Sequence, residues 1–470
     1  MSPVIHLPDN NYNKETRIRE GTKISNLEHI ANFKLTDKDA VGPLLLFPQS
    51  FRDTEFYSSS QKTEEAPVII ELVRDNDGTP TKIRTGNVMG FVGYKDTEIR
   101  IHSRFDKTDD ATGKDANDFF LYQMLAKVFH VNLFNLDTTS SKKNNILDLL
   151  MVMFPQMLKD AMSQGLYKEY RTYKYNDARV RGTIEVNRFI REDIPFQGKV
   201  AYRTREFSHD NKILQLVRHT IEYMRHHPWG HGLLNNDMDT RSNVLQVVNA
   251  TPTYSKRDLM KVLSDNRRPV THPYYTKYRA LQQLCVSILR HDGLQYGEEK
   301  DKVHGILFDG AWLWEEYLNK VLQPLGFLHP ENKIGHGGIN LFTTSPKHTI
   351  YPDFYKQGEV VADAKYKKYA ETDESGSKKR EVAREDLYQV ITYMFRLKVK
   401  KGLILCPCSS QDVFHTPYTF EDGLGEIVVH GLTVSESKGS FAEYQKEMSS
   451  IEGKFQEAVS NILKNLKSLP

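Results

Sequence analysis

The chain has 470 residues, 39% hydrophobic and 27% charged, with 24 Tyr and 23 Phe. That is too rich in core-forming side chains for a disordered polymer and long enough for about two to four domains. The 64 Lys and Arg nearly balance 61 Asp and Glu, for a net charge of +3, so contact with nucleic acid must come from local patches rather than a whole-molecule field. No run approaches the roughly 18 apolar residues of a membrane span, and the opening MSPVIHLPDN lacks the basic-then-apolar order of a secretory leader. Three cysteines, Cys285, Cys406 and Cys408, fit a reducing compartment and no disulfide scaffold, and the one-residue gap in LCPC is too short for a zinc knuckle. The expectation is a cytoplasmic protein with no membrane association.

In chain order, β-rich runs come first: LLLF at 44–47, VIIELV at 68–73 and EIRIHSRF at 98–105, separated by Gly, Asp, Asn and Pro. Helical spacing follows in DFFLYQMLAKVF from Asp118 and NILDLLMVMFPQMLKDAM from Asn145, where Pro155 is expected to kink or divide the segment. Residues 176–207 return to short, basic, extended runs, and helical periodicity resumes in NKILQLVRHTIEYMRHH and around LQQLCVSIL. The amphipathic AWLWEEYLNKVL opens a region of alternating strand and helix signals, within which ETDESGSKK at 371–379 has the composition of a loop. The tail repeats apolar residues at three or four from Phe441 to Leu466, which predicts a covering helix. The expected layout is a mixed, multidomain α/β chain. A β-rich module at 1–110 is a candidate DNA-reading or motor-docking arm, and a mainly helical region at 111–300 carries partner-binding elements. An α/β domain at 301–435 and a packing helix at 436–470 complete it.

The segment TIYPDFYKQGEVVADAKYKK carries the chemistry. A strand into Pro352-Asp353, a turn at Gln357-Gly358 and a strand through Val360 and Val361 form a hairpin that brings Asp353 and Asp363 to one end. Two converging carboxylates suit a hard divalent cation such as Mg²⁺, which takes one or two carboxylates with waters and phosphate. Lys365, two residues after Asp363, shares its face and can orient a water and offset charge on phosphate. An acid-x-base triplet alone is expected roughly eight times in a chain of this composition. The meaning therefore lies in the context: the Pro-Asp across a turn, the apolar strand, and the helical Glu315 and Glu316 in LWEEYL upstream. Downstream, Asp386, Gln389 and Tyr393 share one helical face in EDLYQVITYMF, where Gln389 and Tyr393 can hold Lys365 or a phosphate.

PD, D-x-K and Q-x-x-x-Y in this order resemble the PD-(D/E)xK nuclease fold. FDGAWLWEEYL, YPDF, VADAKYK, DLYQVITY and KGLILCP follow the McrC subunit of McrBC-type restriction systems. The resemblance extends upstream through residues 86–105 and 181–217, covering most of the chain from about residue 86. It implies a restriction-endonuclease-like domain in the carboxy-terminal region and a Mg²⁺-dependent DNA endonuclease of anti-phage defence, with Mn²⁺ as a substitute. It also implies double-stranded DNA as substrate and a McrB-like AAA+ GTPase hexamer as partner, whose hydrolysis the chain stimulates. By the same resemblance Asp353, Asp363 and Glu315 are metal ligands, Lys365 positions the nucleophile, and Gln389 and Tyr393 complete the catalytic set. Trp314 stands where the motif usually has Phe. The resemblance does not extend to a requirement for modified cytosine or to the first 85 residues. The chain shows no G-x-x-x-x-G-K-[ST], so it is not expected to be the motor; if GTP is used, another subunit must bind it.

Residues 199–227 hold Lys199, Arg203, Arg205, Lys212, Arg218 and Arg225 against three acids, a run that can follow a phosphate backbone or be an ordinary solvated face. His226 and His227 diverge by about 100° on a helix and do not form a metal pair. Two alternatives to the endonuclease are a catalytically silent subunit that activates an AAA+ ring and clamps DNA, and an independent repair exonuclease.

Overall fold

The computed structural model describes residues 4–12, 15–19, 21–33, 44–47, 69–106, 118–129, 145–227, 230–235, 237–294, 303–330, 338–344, 348–372, 378–380, 382–409, 415–421, 423, 425–436 and 440–464. It is a mixed α/β protein with several sheets and, among the described residues, twelve α-helices. Two compact units divide it: residues 1–146 with 298–470, and residues 147–297.

The first unit holds two five-stranded sheets. One runs in the order Ile5–Pro8, Thr97–His102, Val88–Tyr94, His304–Asp309 and Leu44–Phe47. The strand Val88–Tyr94 is buried along its whole length, as a central strand must be. Its neighbour His304–Asp309 comes from the start of the expected carboxy-terminal domain, and its pairing inside the amino-terminal sheet joins the two sequence ends of this unit. The two strands approach closely through Gly90 and Gly305, with φ of +130° and +139°; a Cβ on Gly90 would lie 2.2 Å from the Ile306 carbonyl oxygen. A three-stranded sheet of Thr16–Arg17, Pro80–Thr85 and Ile70–Arg74 completes the amino-terminal part.

The other five-stranded sheet runs Phe354–Lys356, Val360–Ala364, Lys401–Ser409, Glu426–Val434 and His415–Thr419. Val360–Ala364 and Lys401–Ser409 are parallel, so the chain needs a crossover, which the helix Arg384–Leu397 supplies. The helix seats on the sheet through Gly402, where a Cβ would meet Val390 Cγ1 at 2.4 Å. The expected loop at 371–379 is flanked by a short ladder of Ala370–Thr372 with Lys378–Arg380, and residues 373–377 lie outside the described residues.

The tail forms the helix Phe441–Lys464, with Phe441, Met448, Phe455, Val459 and Ile462 buried on the face the spacing marked; Leu466 lies outside the described residues. Its Glu452 is also buried, accepting hydrogen bonds from Tyr317 Oη at 2.6 Å, Gln123 Nε2 at 2.9 Å and Lys127 Nζ at 2.6 Å. The helix Phe119–Val128 therefore belongs to the first unit rather than to the middle region in which the sequence pattern grouped it.

The second unit packs Lys212–His226, whose cap Asn211 accepts from the Ile213 and Leu214 amides, against Tyr278–Leu294 and shorter helices. It also carries a three-stranded sheet of Glu169–Asp177, Val200–Ser208 and Thr183–Ile184. The helix Asn145–Met162 continues through Pro155 and is not divided there. Cys285, Cys406 and Cys408 are buried, and none forms a disulfide among the described residues. Among the described residues no helix is long and apolar enough to cross a membrane.

Candidate active site

The hairpin is where the sequence placed it. Phe354 pairs with Ala362 and Lys356 with Val360, and the turn passes through Gly358 at φ +72°, a left-handed conformation that favours glycine. One step beyond the Phe354–Ala362 pair, Asp353 faces the end of the second strand, and its Oδ2 accepts the Ala364 N–H at 2.7 Å. Asp363 is fully buried. Strand alternation puts Lys365 on its face, and Lys365 Nζ lies 2.5 Å from Asp363 Oδ2. The main chain of Lys365 is fixed as well, its N–H donating to the Leu405 carbonyl at 2.9 Å.

The crossover helix holds the other side of this lysine. Lys365 Nζ donates to Gln389 Oε1 at 2.9 Å, Gln389 Nε2 donates to Tyr393 Oη at 2.7 Å, and Tyr393 Oη donates to the Tyr351 carbonyl at 3.2 Å. Gln389 and Tyr393 thus fix the ammonium through a chain ending on the backbone just before Pro352. Asp386, on the same helix, is engaged elsewhere, accepting from Lys367 Nζ at 2.9 Å and Tyr369 Oη at 2.8 Å.

The third contribution comes from the helix Gly310–Leu322, capped by Asp309, whose carboxylate accepts the Ala311 and Trp312 amides. Leu313, Trp314, Tyr317 and Leu318 are buried, and Trp314 Nε1 donates to the Leu405 carbonyl at 3.3 Å. This packing sets the rotation that leaves Glu315 and Glu316 beside the hairpin. Both approach His329 Nε2, at 3.9 and 3.8 Å, while His329 Nδ1 lies 2.7 Å from the Asp353 carbonyl oxygen and its ring stacks on Phe354. His329 was not singled out from the sequence. It lies 24 residues before Asp353 in FLHPEN, and no motif spacing marks it.

The electrostatics are those of crowded acids. Burial, then the charge of Glu315, pushes the Asp353 carboxyl up to about 7; burial, then the charge of Asp353, pushes Asp363 up to about 7. Burial opposes the charged form of Lys365, but Asp363 outweighs it and raises the ammonium above its ordinary value. Burial likewise opposes protonation of His329, yet Glu316, the Asp353 carbonyl and Glu315 hold it at about 9, so it is an imidazolium at neutral pH. Glu315 acts directly on Asp353, whereas Glu316, 3.8 Å from His329 Nε2, is held below the usual carboxylate range despite partial burial. Among the described residues, no group of three or more His, Cys, Asp or Glu is gathered closely enough to enclose a metal ion. The donor set is therefore an aspartate pair with one helical glutamate nearby.

The basic run at 199–227 does not form one surface. Lys212 lies 3.8 Å from Glu169, Arg218 and Arg225 both pair with Glu222, and Arg203 and Arg205 lie on the exposed strand.

Residues 83–406, more than two thirds of the chain, match the family described as McrBC 5-methylcytosine restriction system component. Glu315, Asp353, Asp363, Lys365, Gln389 and Tyr393 all fall inside the match. No curated protein matches the chain. The chain is similar to solved structures that include the following two. One is a refined half-complex from the tetradecameric assembly of Thermococcus gammatolerans McrB AAA+ hexamers with bound McrC: 14% identity, TM-score 0.48, covering 96% of this chain and 100% of that one. The other is the cryo-EM structure of the Thermococcus gammatolerans McrBC complex, at 14% identity and TM-score 0.33, covering 68% of this chain and 87% of that one. On the strength of the match over residues 83–406, the chain belongs to the McrBC 5-methylcytosine restriction system component family.

Proposed function

We propose that this chain is the McrC-type endonuclease subunit of a McrBC-like restriction system, cutting double-stranded DNA with Mg²⁺, or Mn²⁺ in its place, in a PD-(D/E)xK domain. In this reading it works with a McrB-like AAA+ GTPase hexamer in the cytoplasm and stimulates its hydrolysis, as the family resemblance implies. The observation that carries the catalytic part is the half-buried Asp353 beside the fully buried Asp363 at one end of a hairpin, with Lys365 held between Asp363 and Gln389.

The donor set fits the ion. Both aspartates are driven toward protonation by burial and neighbouring charge, a strain that a divalent cation relieves, and Mg²⁺ needs only one or two carboxylates with waters and phosphate. Asp353 and Asp363 would hold it, with Glu315 as the neighbouring carboxylate on the helix. Bound there, it supplies positive charge at the scissile phosphate. Lys365, fixed by Gln389 and Tyr393, orients the attacking water and offsets charge developing on the phosphate oxygens. His329 holds the Asp353 backbone and balances the two glutamates, keeping the hairpin end in place.

The test is cleavage of circular DNA, methylated and unmethylated, by wild type and Lys365→Ala in Mg²⁺, with and without the nucleotide-hydrolysing partner. The expected outcome is cutting by wild type and a loss of about 100-fold or more in the variant, with stimulation of the partner intact. Absence of cutting by wild type under every condition, with partner hydrolysis still stimulated, would overturn the catalytic reading in favour of a motor-activating subunit that clamps DNA.

A further inference from the structure

The sheet of the second unit sorts its charges by face. In Glu169–Asp177 and Val200–Ser208, register pairs Tyr170 with Phe207, Thr172 with Arg205, Lys174 with Arg203 and Asn176 with Ala201. Side chains alternate along each strand, so these eight share one face, and none is acidic. The acids of the two strands, Glu169, Asp177 and Glu206, are all on the opposite face. Thr183, paired with Arg203, extends the face onto the third strand, where the next acid, Glu185 opposite Ala201, is already paired with Arg188 at 2.7 Å. Its far end is closed by Asn176, which donates to the buried Asp193 at 2.9 Å.

Between these limits the face is open. Tyr170 is 58% and Phe207 53% exposed, and Thr172, Lys174, Arg203 and Arg205 are accessible beside them. The rings of Tyr170 and Phe207 lie 4.8 Å apart, with the Arg205 guanidinium 4.8 Å from the Tyr170 centroid and Lys168 Nζ 5.7 Å from that of Phe207. The aromatics thus prop two cations outward from the sheet. Lys168, Lys174, Arg203 and Arg205 form no ion pair among the described residues, whereas Arg171, on the opposite face, reaches Asp210. Like charges placed directly opposite each other on a sheet destabilise it, and Lys174 faces Arg203 in register. A cationic pair kept in that position, with no carboxylate to neutralise it, is matched to an anion from outside.

We infer that this face, formed by Lys168, Lys174, Arg203 and Arg205 around Tyr170 and Phe207, is a docking surface for the phosphate backbone of duplex DNA. The spacing of cations along two strands fits a line of phosphates rather than one ion. Cations already cover the aromatic rings, which favours backbone tracking over stacking of unpaired bases. The choice of DNA rests on the substrate class proposed above. The surface lies within residues 147–297 and uses none of the aspartate-pair residues.

The experiment measures binding of a fluorescein-labelled 30-base-pair duplex to the full-length chain by anisotropy across a salt series in EDTA, where metal-dependent cleavage cannot run. The triple variant Lys174→Ala/Arg203→Ala/Arg205→Ala is expected to bind at least fivefold more weakly. Its salt slope should be shallower by about 0.9 for each phosphate it no longer neutralises. Thermal melting keeps the test independent of folding, since removing the opposed cations should leave the midpoint unchanged or raise it. Arg191→Ala, a 75% exposed site beside Glu192, should bind as wild type does. Unchanged duplex affinity in the triple variant overturns the inference, as does wild-type binding to single strands but not duplex. So does abolished stimulation of a nucleotide-hydrolysing partner with duplex binding intact. Lys365→Ala without cleavage but with duplex binding retained would confirm that the two sites fail separately.

Discussion

Asp353 and Asp363 show how burial and proximity make two ordinary residues titrate near neutrality. Each is raised from 3.8 to about 7, first by desolvation and then by a neighbouring carboxylate, so the pair rather than either residue sets the apparent values. In the unfolded chain both return to ordinary values. Between pH 4 and 7 the folded state therefore binds more protons, and the pair's contribution to stability is complete below about pH 4 and lost as pH rises through about 7. Asp353→Asn keeps an acceptor for the Ala364 amide while removing one charge and easing Asp363. In metal-free buffer its melting temperature relative to wild type is expected to climb between pH 5 and pH 8, and a difference flat with pH would show that the pair is not coupled this way. The sequence made both aspartates visible because a Pro-Asp and a D-x-K flank a glycine turn. It did not make His329 visible, because that histidine reaches the site through a fold contact with the Asp353 backbone.

Among the elements, the crossover helix Arg384–Leu397 decides whether Lys365 is held. Its spacing already put Gln389 and Tyr393 on one face, and the structure adds that Gly402 is what lets the helix lie close on the sheet. Gly402→Ala would place its Cβ 2.4 Å from Val390 Cγ1 and 2.8 Å from Met394 Sδ. Overpacking there is expected to cost about 1–3 kcal/mol of stability, read by urea denaturation, and to weaken cleavage more than duplex binding because Gln389 moves with the helix. A neutral effect on both would mean that the helix is not held at this point. The basic run at 199–227 shows the opposite limit of element-level reading. Linear spacing merged a strand and a helix, while the charges divide between the two faces of the strand.

At the scale of the whole molecule, the strand His304–Asp309 is an interior strand of the sheet of the first hundred residues, between Val88–Tyr94 and Leu44–Phe47, with Ile306 and Phe308 fully buried. A fragment beginning at residue 301 leaves that strand without either neighbour and uncovers its apolar faces, each such side chain worth about 1.5–3 kcal/mol when buried. With total domain stabilities of about 5–15 kcal/mol, residues 301–470 alone are expected to aggregate or stay unfolded by near-UV circular dichroism. Cooperative melting of that fragment would show that the carboxy-terminal sheet is independent of the strand. Local features were legible along the chain: the β-rich runs, the amphipathic helices, the apolar stripe of the tail and the Asp353–Asp363–Lys365 hairpin. These follow from periodicity and turn chemistry acting over a few residues. Folding in three dimensions was needed to settle which sheet receives His304–Asp309, why Glu452 is buried among Tyr317, Gln123 and Lys127, how His329 meets Asp353, and which strand face carries unopposed cations. Those depend on register and on the meeting of residues far apart in the chain, which no local pattern encodes.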